Sequence, residues 1–263
     1  MPATRQPFSV AIITLNAAAQ LPACLASVDF ADEIVVVDSG SSDGTPALAA
    51  RLGARVVHQE WLGFGRQKQL AVDICSHDWV LCLDADERVS PELQQAIKNA
   101  LPTASSASPG EAAQAFRFRR RNRFLGRYLR HGEGYPDWSL RLFDRRHAHW
   151  SDDAVHEKVE TQAVIGELTG DLLHDSAESL AAYLNKQNRY TSLAADMALA
   201  AGKRASGWQV VFSPLLRFIK FYLVRRGFLD GLPGLIHIAI GCFNSFAKYS
   251  KMLERQASDA ALQ

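Results

Sequence analysis

The sequence predicts an α/β protein: an open, twisted, mostly parallel sheet flanked by helices, with a C-terminal helical extension. Three observations predict it. Over residues 8–101, short apolar runs alternate with helix-length segments, the pattern of a parallel sheet covered on both faces. Polar and acidic residues follow directly on the apolar runs, where the carboxyl edge of such a sheet would lie. From residue 178 onward the sequence reads as helix, punctuated by Gly202, Gly227 and Gly231.

The elements follow in order. Residues 8–15 (FSVAIITL) are an apolar run of strand length, and residues 21–28 read as helix. Glu33–Asp38 (EIVVVD) is β-branched and continuous, as expected of a strand buried on both faces. Ser42 or Asp43 can cap a helix running to Leu52, with Pro46 in its first turn. Arg55–His58 is a third strand, 65–75 a helix, 79–83 (WVLCL) a fourth strand and 91–101 a helix. Residues 102–114 are small and polar, a surface loop. Residues 115–173 read as short strands and loops, and residues 178–201, 208–226 and 233–255 as helices. No internal repeat is present. The expected division is a domain over 1–175 carrying the site and a helical region over 176–263.

Composition narrows the function. Of 263 residues, 48% are hydrophobic and 22% charged, enough to bury a core. Lys and Arg number 29 and Asp and Glu 28, so a globally basic nucleic-acid binder is not expected. The distribution is uneven. Residues 1–116 hold 7 basic and 13 acidic side chains, residues 117–130 seven Arg and no acid, and residues 203–255 nine basic and two acidic. An acidic front suggests a metal or catalytic site, and a basic back an anionic surface. Cys24, Cys75, Cys82 and Cys242 form no CxxC and read as free thiols of a reducing compartment. No signal peptide is visible, and no charge-free run of about 18 apolar residues suggests a membrane span.

The strand ends carry the chemistry. The first run ends in Thr14-Leu15-Asn16, the second in Asp38 followed by Ser39-Gly40-Ser41-Ser42-Asp43-Gly44, and the fourth in Asp84-Ala85-Asp86-Glu87. Turn and cap roles explain Asp43 well. They explain Asp84 and Asp86 badly, because clustered carboxylates repel one another unless a cation is present. An all-oxygen cluster suits Mg²⁺ or Mn²⁺ bound together with phosphate oxygens. Neither a Walker A sequence nor GxGxxG occurs, so a metal would have to hold the phosphates of any nucleotide.

These three motifs, in this order and each after an expected strand, resemble family 2 glycosyltransferases of the GT-A fold. The resemblance implies that Asp38 binds the uracil of a UDP-sugar, with Thr14 beside the base and Asn16 at the same strand end. It implies that Asp84 contacts the ribose or the metal, and that Asp86 binds the metal bridging the diphosphate. Residues 124–143 (FLGRYLRHGEGYPDWSLRLF), 155–157 (VHE), 227–231 (GFLDG) and Lys248-Tyr249 are similar to the lipopolysaccharide inner-core glucosyltransferases, which add β-linked glucose to heptose. A glycolipid acceptor of the lipopolysaccharide inner core is what that likeness implies.

Displacement at an anomeric carbon needs a base for the acceptor hydroxyl and positive charge on the leaving diphosphate. Glu157 is the favoured base, because the family often places its acid at this distance behind the metal motif; Asp137 is second, and Asp152 and Asp153 are further acids. His156 and His174 are the histidines of interest. His174 follows a short apolar strand and is either a third metal ligand, as in some GT-A enzymes, or a structural histidine. Arg141, Arg66 and Lys68 could face the diphosphate, Lys68 most of all because its helix follows a glycine-rich turn. The C-terminal helices interleave Trp208, Phe212, Phe218, Phe221 and Tyr222 with Arg217, Lys220, Arg225 and Arg226, a pattern suited either to an anionic membrane surface or to packing on the core. UDP-sugar use and free thiols place the enzyme in the cytoplasm, peripheral on the inner face of the membrane. Two rivals stand beside this reading: a nucleotide-sugar binding module without turnover, and a sugar-nucleotide pyrophosphorylase, which would need a glycine-rich basic loop where the sequence has TLNAAAQLP.

Overall fold

In the computed structural model, which describes residues 5–101, 113–153, 157–176 and 179–261, the chain divides into two compact units. The first comprises residues 1–120 and 137–175, the second 121–136 and 176–263. The sequence places a division after residue 175; in these compact units 121–136 groups with the helices, where Arg130, His131 and Glu133 find their partners.

In the first unit the apolar runs fold as strands β1 (Phe8–Thr14), β2 (Glu33–Asp38), β3 (Arg55–His58) and β4 (Trp79–Asp84). Helices α1 (Leu21–Ala26), α2 (Thr45–Arg51) and α3 (Phe64–Asp73) join them, and α4 (Pro91–Ala100) follows a short strand β5 (Glu87–Val89). Helical crossovers require parallel pairing, and β3, β2, β1 and β4 lie side by side in that order, all parallel. The register sets the site: Thr14 lies opposite Asp38, and Ile13 opposite Asp84, so three strand ends meet at one edge.

The rest of the sheet is antiparallel. β6 (Ala115–Phe124), β8 (Asp137–Asp144) and β11 (Ile165–His174) continue it in the order β4-β8-β6-β11-β5. The sheet is therefore mixed: parallel pairing describes the first four strands, and the strands beyond are laid down without helical crossovers. At the far edge β11 runs against β5, with His174 opposite Glu87. A separate ribbon pairs β9 (Ala148–Trp150) with β10 (Val159–Thr161). Alternation along β1 divides the core between the two faces. Phe8, Val10 and Ile12 pack with Leu21, Leu81 and Leu93 on one side, and Ala11 with Val35, Val72 and Phe143 on the other. Cys24, Cys75 and Cys82 are free and buried in these layers, and burial pushes the Cys75 thiol up to about 12 and Cys82 to about 11.

In the second unit the end of β6 turns back into β7 (Arg127–Tyr128). Helices α5 (Leu180–Ala200), α6 (Gly207–Phe218) and α7 (Gly231–Ala261) follow. The helix expected over 208–226 is interrupted: regular α-helix ends at Phe218, and Ile219–Val224 forms a π-helical turn. Buried Asp230 in GFLDG accepts the backbone N–H groups of Arg130 (2.9 Å) and His131 (2.7 Å). Gly132 and Gly227 meet back to back. A Cβ on Gly227 would lie 2.3 Å from Ile238 Cδ1, and one on Gly132 3.2 Å from Gly227 Cα. These contacts give GFLDG a packing role within this unit.

Candidate active site

Two loops at the carboxyl edge are latched by side chains the sequence singles out. Asn16 adopts a left-handed backbone (φ 53°), a region asparagine tolerates. Its N–H donates to Ser41 Oγ (2.7 Å), and its Oδ1 accepts the Ser42 N–H (2.9 Å). Asp43 accepts the Ala18 N–H (2.9 Å) and both the N–H and hydroxyl of Thr45. Asp43 is thus a turn residue: the N-cap position of α2 is Gly44 rather than Ser42 or Asp43.

Asp38 ends β2 fully inside this latch. Its Oδ1 accepts the N–H groups of Gly40 (3.0 Å) and Ser41 (2.8 Å); its Oδ2 accepts the hydroxyls of Thr14 (2.8 Å) and Ser41 (2.6 Å). Burial opposes its ionisation, but these four donors outweigh it and hold the carboxyl below the usual range. Both Asp38 and Thr14 are buried.

The acids after β4 are not left to repel one another. Lys68 Nζ lies 3.0 Å from Glu157 Oε1 and 3.1 Å from Asp84 Oδ1. Arg141 Nη2 lies 3.1 Å from Asp84 Oδ2 and 3.3 Å from Glu87 Oε1. Arg120 Nη1 lies 3.3 Å from the same Glu87 oxygen, and its Nη2 lies 2.8 Å from Asp137 Oδ2. Acid and base alternate without a break: Glu157, Lys68, Asp84, Arg141, Glu87, Arg120, Asp137. The cation that clustered acids call for is supplied, for Asp84 and Glu87, by the protein's own Lys68, Arg141 and Arg120. Burial opposes the charge on Asp84, yet Arg141 and Lys68 hold its carboxyl far below the usual range. Burial likewise opposes the charge on Arg141, and Glu87 and Asp84 restore it.

Local packing builds this chain. Gly65 starts α3 against the backbone of Ser151: a Cβ there would lie 2.1 Å from the Ser151 carbonyl oxygen. That approach seats buried Lys68 beside Glu157 and 4.8 Å from the centre of the Trp150 ring, which Arg141 also overlies at 5.3 Å. Arg66, one turn position away, is two-thirds exposed and 3.7 Å from Asp152, a surface pair rather than part of the chain. His156 and the first two residues of VHE lie outside the described residues, as does most of the 102–114 loop.

Asp86 stands apart from the alternating chain. Its Oδ2 is 3.3 Å from His174 Nε2, and its carbonyl accepts the Asp175 N–H (3.0 Å). The β5–β11 register places the two side chains together. Burial opposes protonation of His174, but the hydrogen bond and charge of Asp86 raise its pKa above the ordinary value. Among the described residues no three His, Cys, Asp or Glu side chains cluster closely enough to cage a cation. One carboxylate and one imidazole nevertheless fit Mg²⁺ or Mn²⁺, which take few protein ligands and fill the remainder with water and phosphate oxygens. Asp84 offers less, since both its oxygens already face cations.

Glu87, named in the sequence only as part of the acidic run, completes the site together with Arg120 and Trp150, which were not singled out. Glu87 is fully buried. The signal for Arg120 is alternation: it shares a strand face with buried Phe118 two residues earlier.

An acid-rich carboxyl edge of an open α/β sheet, latched by two loops, is where such a sheet would bind a ligand, and the sequence can now be compared with known proteins. Residues 9–165 match the profile of glycosyl transferase family 2. Lipopolysaccharide core biosynthesis glycosyltransferase LpsC of Rhizobium meliloti is 33% identical over 261 residues, covering 97% of this chain and 94% of that protein. An uncharacterized glycosyltransferase of Rickettsia bellii is 31% identical over 260 residues, covering 94% and 86%. A crystal structure of S. aureus TarS aligns over 98% of this chain and 92% of that one, at 14% identity and a TM-score of 0.46. The chain belongs to glycosyltransferase family 2.

Proposed function

We propose that this protein is an inverting, metal-dependent glycosyltransferase that moves a sugar, glucose in the favoured case, from a UDP-sugar to a lipid-linked acceptor of the lipopolysaccharide core. The observation that carries the reading is the alternating ion-pair chain at the carboxyl edge, with the Asp86–His174 pair beside it. The Thr14–Asp38–Asn16 latch is the base-binding end. A uracil N–H reaching Asp38 would replace the Ser41 hydroxyl as donor. Asp86 and His174 would hold Mg²⁺ or Mn²⁺, which when bound neutralises the diphosphate. Lys68 and Arg141 supply fixed positive charge along the leaving-group side, with Asp84 orienting both.

The acceptor oxygen attacks the anomeric carbon, the bond to the diphosphate breaks, and the hydroxyl proton passes to Glu157, with Asp137 the second candidate. The lipopolysaccharide assignment is supported by the similarity to LpsC across nearly the whole chain.

The second unit suits a lipid acceptor. Along α6 and the turn after it, Trp208 (61% exposed), Val211 (64%), Leu216 and Val224 (72%) leave apolar side chains in solvent. Lys203, Arg204, Lys220, Arg225 and Arg226 are exposed on the same unit. No described helix is long and apolar enough to cross a membrane. Exposed apolar side chains and basic charge together support a peripheral position on the anionic, cytoplasmic face of the membrane.

Calorimetric titration with UDP, with and without Mn²⁺ or Mg²⁺, joined to a hydrolysis screen of UDP-sugars, tests the donor assignment. Metal-dependent UDP binding and turnover of a UDP-sugar are expected; absence of both refutes it. Glu157→Gln and Asp137→Asn, made separately, distinguish an enzyme from a binding module: the base variant should lose about 10²–10⁴-fold in turnover while still binding UDP. A module without turnover would have none to lose.

A further inference from the structure

The helical unit holds a cleft that the donor chemistry leaves unused. It has a volume of about 310 Å³, lies among α5, α6 and α7, and is lined by Gln187, Tyr190, Arg217, Asn244, Lys248 and Tyr249. Lys248-Tyr249 is the pair whose role the first unit does not explain.

The cations of this region differ in what they do. Lys251, one turn further along α7, donates to Asn188 O, Asn188 Oδ1, Thr191 Oγ1 and Ser192 Oγ, all within 2.9 Å, and so ties α7 to α5. Arg255 pairs with Asp196 at 2.7 Å. Arg217 pairs with Glu133 and donates to Ser245 Oγ (3.1 Å). The half-buried Lys248 ammonium has no hydrogen bond or acidic partner among the described residues; it lies only near the Tyr249 ring, at 5.5 Å. Asn244 and Lys248 are four residues apart on α7 and so share a face. Asn244 Nδ2 donates to Gln187 Oε1 (2.7 Å), which fixes both amides. Gln187 Nε2 and Asn244 Oδ1 then remain as an unspent donor and acceptor.

We propose that this cleft binds an anionic sugar residue, phosphorylated or carboxylated, of the glycolipid acceptor. Lys248 meets the anionic group, the paired amides meet hydroxyls, and the tyrosine rings provide apolar walls for the sugar face. Arg217 contributes less charge because Glu133 offsets it. Assigning the sugar to the acceptor rests on the glycosyltransferase reading; the binding chemistry of the cleft does not.

The test has two arms, both on the full chain. In the first, glucose 6-phosphate, glucose and inorganic phosphate are titrated calorimetrically into the wild type, Lys248→Met and Lys251→Met, with UDP present throughout. Glucose 6-phosphate should bind the wild type more tightly than either fragment, and Lys248→Met should weaken it by about tenfold or more. Lys251→Met should lower the unfolding midpoint and leave affinity unchanged, which separates ligand binding from helix packing. Inorganic phosphate binding as tightly as glucose 6-phosphate would overturn the sugar assignment and indicate a bare phosphate or headgroup site. Equal affinity of wild type and Lys248→Met, or no binding by either, would overturn the cleft altogether. In the second arm, Lys248→Met should raise KM for lipid-linked acceptor by about tenfold, with UDP-sugar hydrolysis in the absence of acceptor unchanged. Unchanged KM beside normal hydrolysis overturns the acceptor assignment alone. Loss of hydrolysis in the wild type would instead refute the glycosyltransferase reading and leave the first arm's result standing.

Discussion

Glu87 and Asp86 are neighbours with opposite energetic roles. Glu87 is completely buried and accepts from Arg120, Arg141 and the Asp84 N–H, so truncating it takes one acidic partner from each of two cations and removes the acceptor of the Asp84 N–H. Glu87→Ala should cost about 3–5 kcal/mol in urea denaturation. Asp86 is partly exposed and pairs with His174, so Asp86→Ala should cost no more than about 1 kcal/mol while abolishing metal-dependent UDP binding. A strongly destabilised Asp86→Ala, or one that keeps metal-dependent binding, would contradict the division. The acids were legible in the sequence as a cluster. Their compensation was not, because Arg120 and Arg141 enter from strands 33 and 54 residues further along. Asp38 was legible as a strand-end acid, but its saturation by Thr14, Gly40 and Ser41 depends on the register of β1 against β2. Glu33 carries a pH prediction of its own. Burial opposes its ionisation, but the Ser76 N–H, the Ser9 and Ser76 hydroxyls and Arg55 bring its pKa from 4.5 down to about 2. A depressed folded pKa contributes stability above the unfolded value that is lost as pH falls through the folded one. Between pH 4.5 and 2 the wild type should lose about 2 kcal/mol that Glu33→Gln lacks, read as a difference in urea midpoints at each pH. Parallel curves for the two proteins would refute it.

At the scale of elements, the first four strands and their helices were legible because alternation of apolar run and helix has one common solution, a parallel sheet. The antiparallel half was not: period-two alternation identifies β6, β8 and β11 as strands but does not choose their partners. The reach of the helix expected over 208–226 was overread for a related reason. From Leu215 to Arg226 its residues are apolar, aromatic or basic, so the change of pitch at Ile219 leaves no break in the pattern. Basic and aromatic residues on this stretch were legible together, yet they divide in the fold. Arg217 is held by Glu133, whereas Lys220, Arg225 and Arg226 are exposed. Charge reversal of those three to Glu, with Arg217 kept, is therefore the clean test of membrane attachment. At about 1 kcal/mol per basic residue near an anionic surface, the triple variant should lose at least about a hundredfold in affinity for phosphatidylserine vesicles at low salt. Hydrolysis of UDP-sugar in solution should be unaffected. Vesicle binding equal to wild type at low and high salt would leave these helices as packing elements only.

Across the whole molecule, the alternating ion pairs lie in one unit and the exposed basic and apolar side chains of the helices in the other, and the charge asymmetry of the sequence follows that division. The acidic front is where the strand ends and their alternating ion pairs lie; the basic back is where apolar side chains reach solvent. The family was legible because three motifs stand in order after three strands, which is a stronger signal than any one of them. The sugar and its linkage were not legible, since no residue type at the strand ends is particular to glucose. The proposed reaction is a single displacement from a UDP-sugar onto a glycolipid hydroxyl. The measurement that tests it most directly is the anomeric configuration, by NMR, of the product formed from UDP-glucose and truncated lipid-linked inner core with Mn²⁺ present. Single displacement from the α-configured donor predicts a β-linked product, formed by the wild type and lost in the base variant. An α-linked product, or no product from any UDP-sugar, would contradict it.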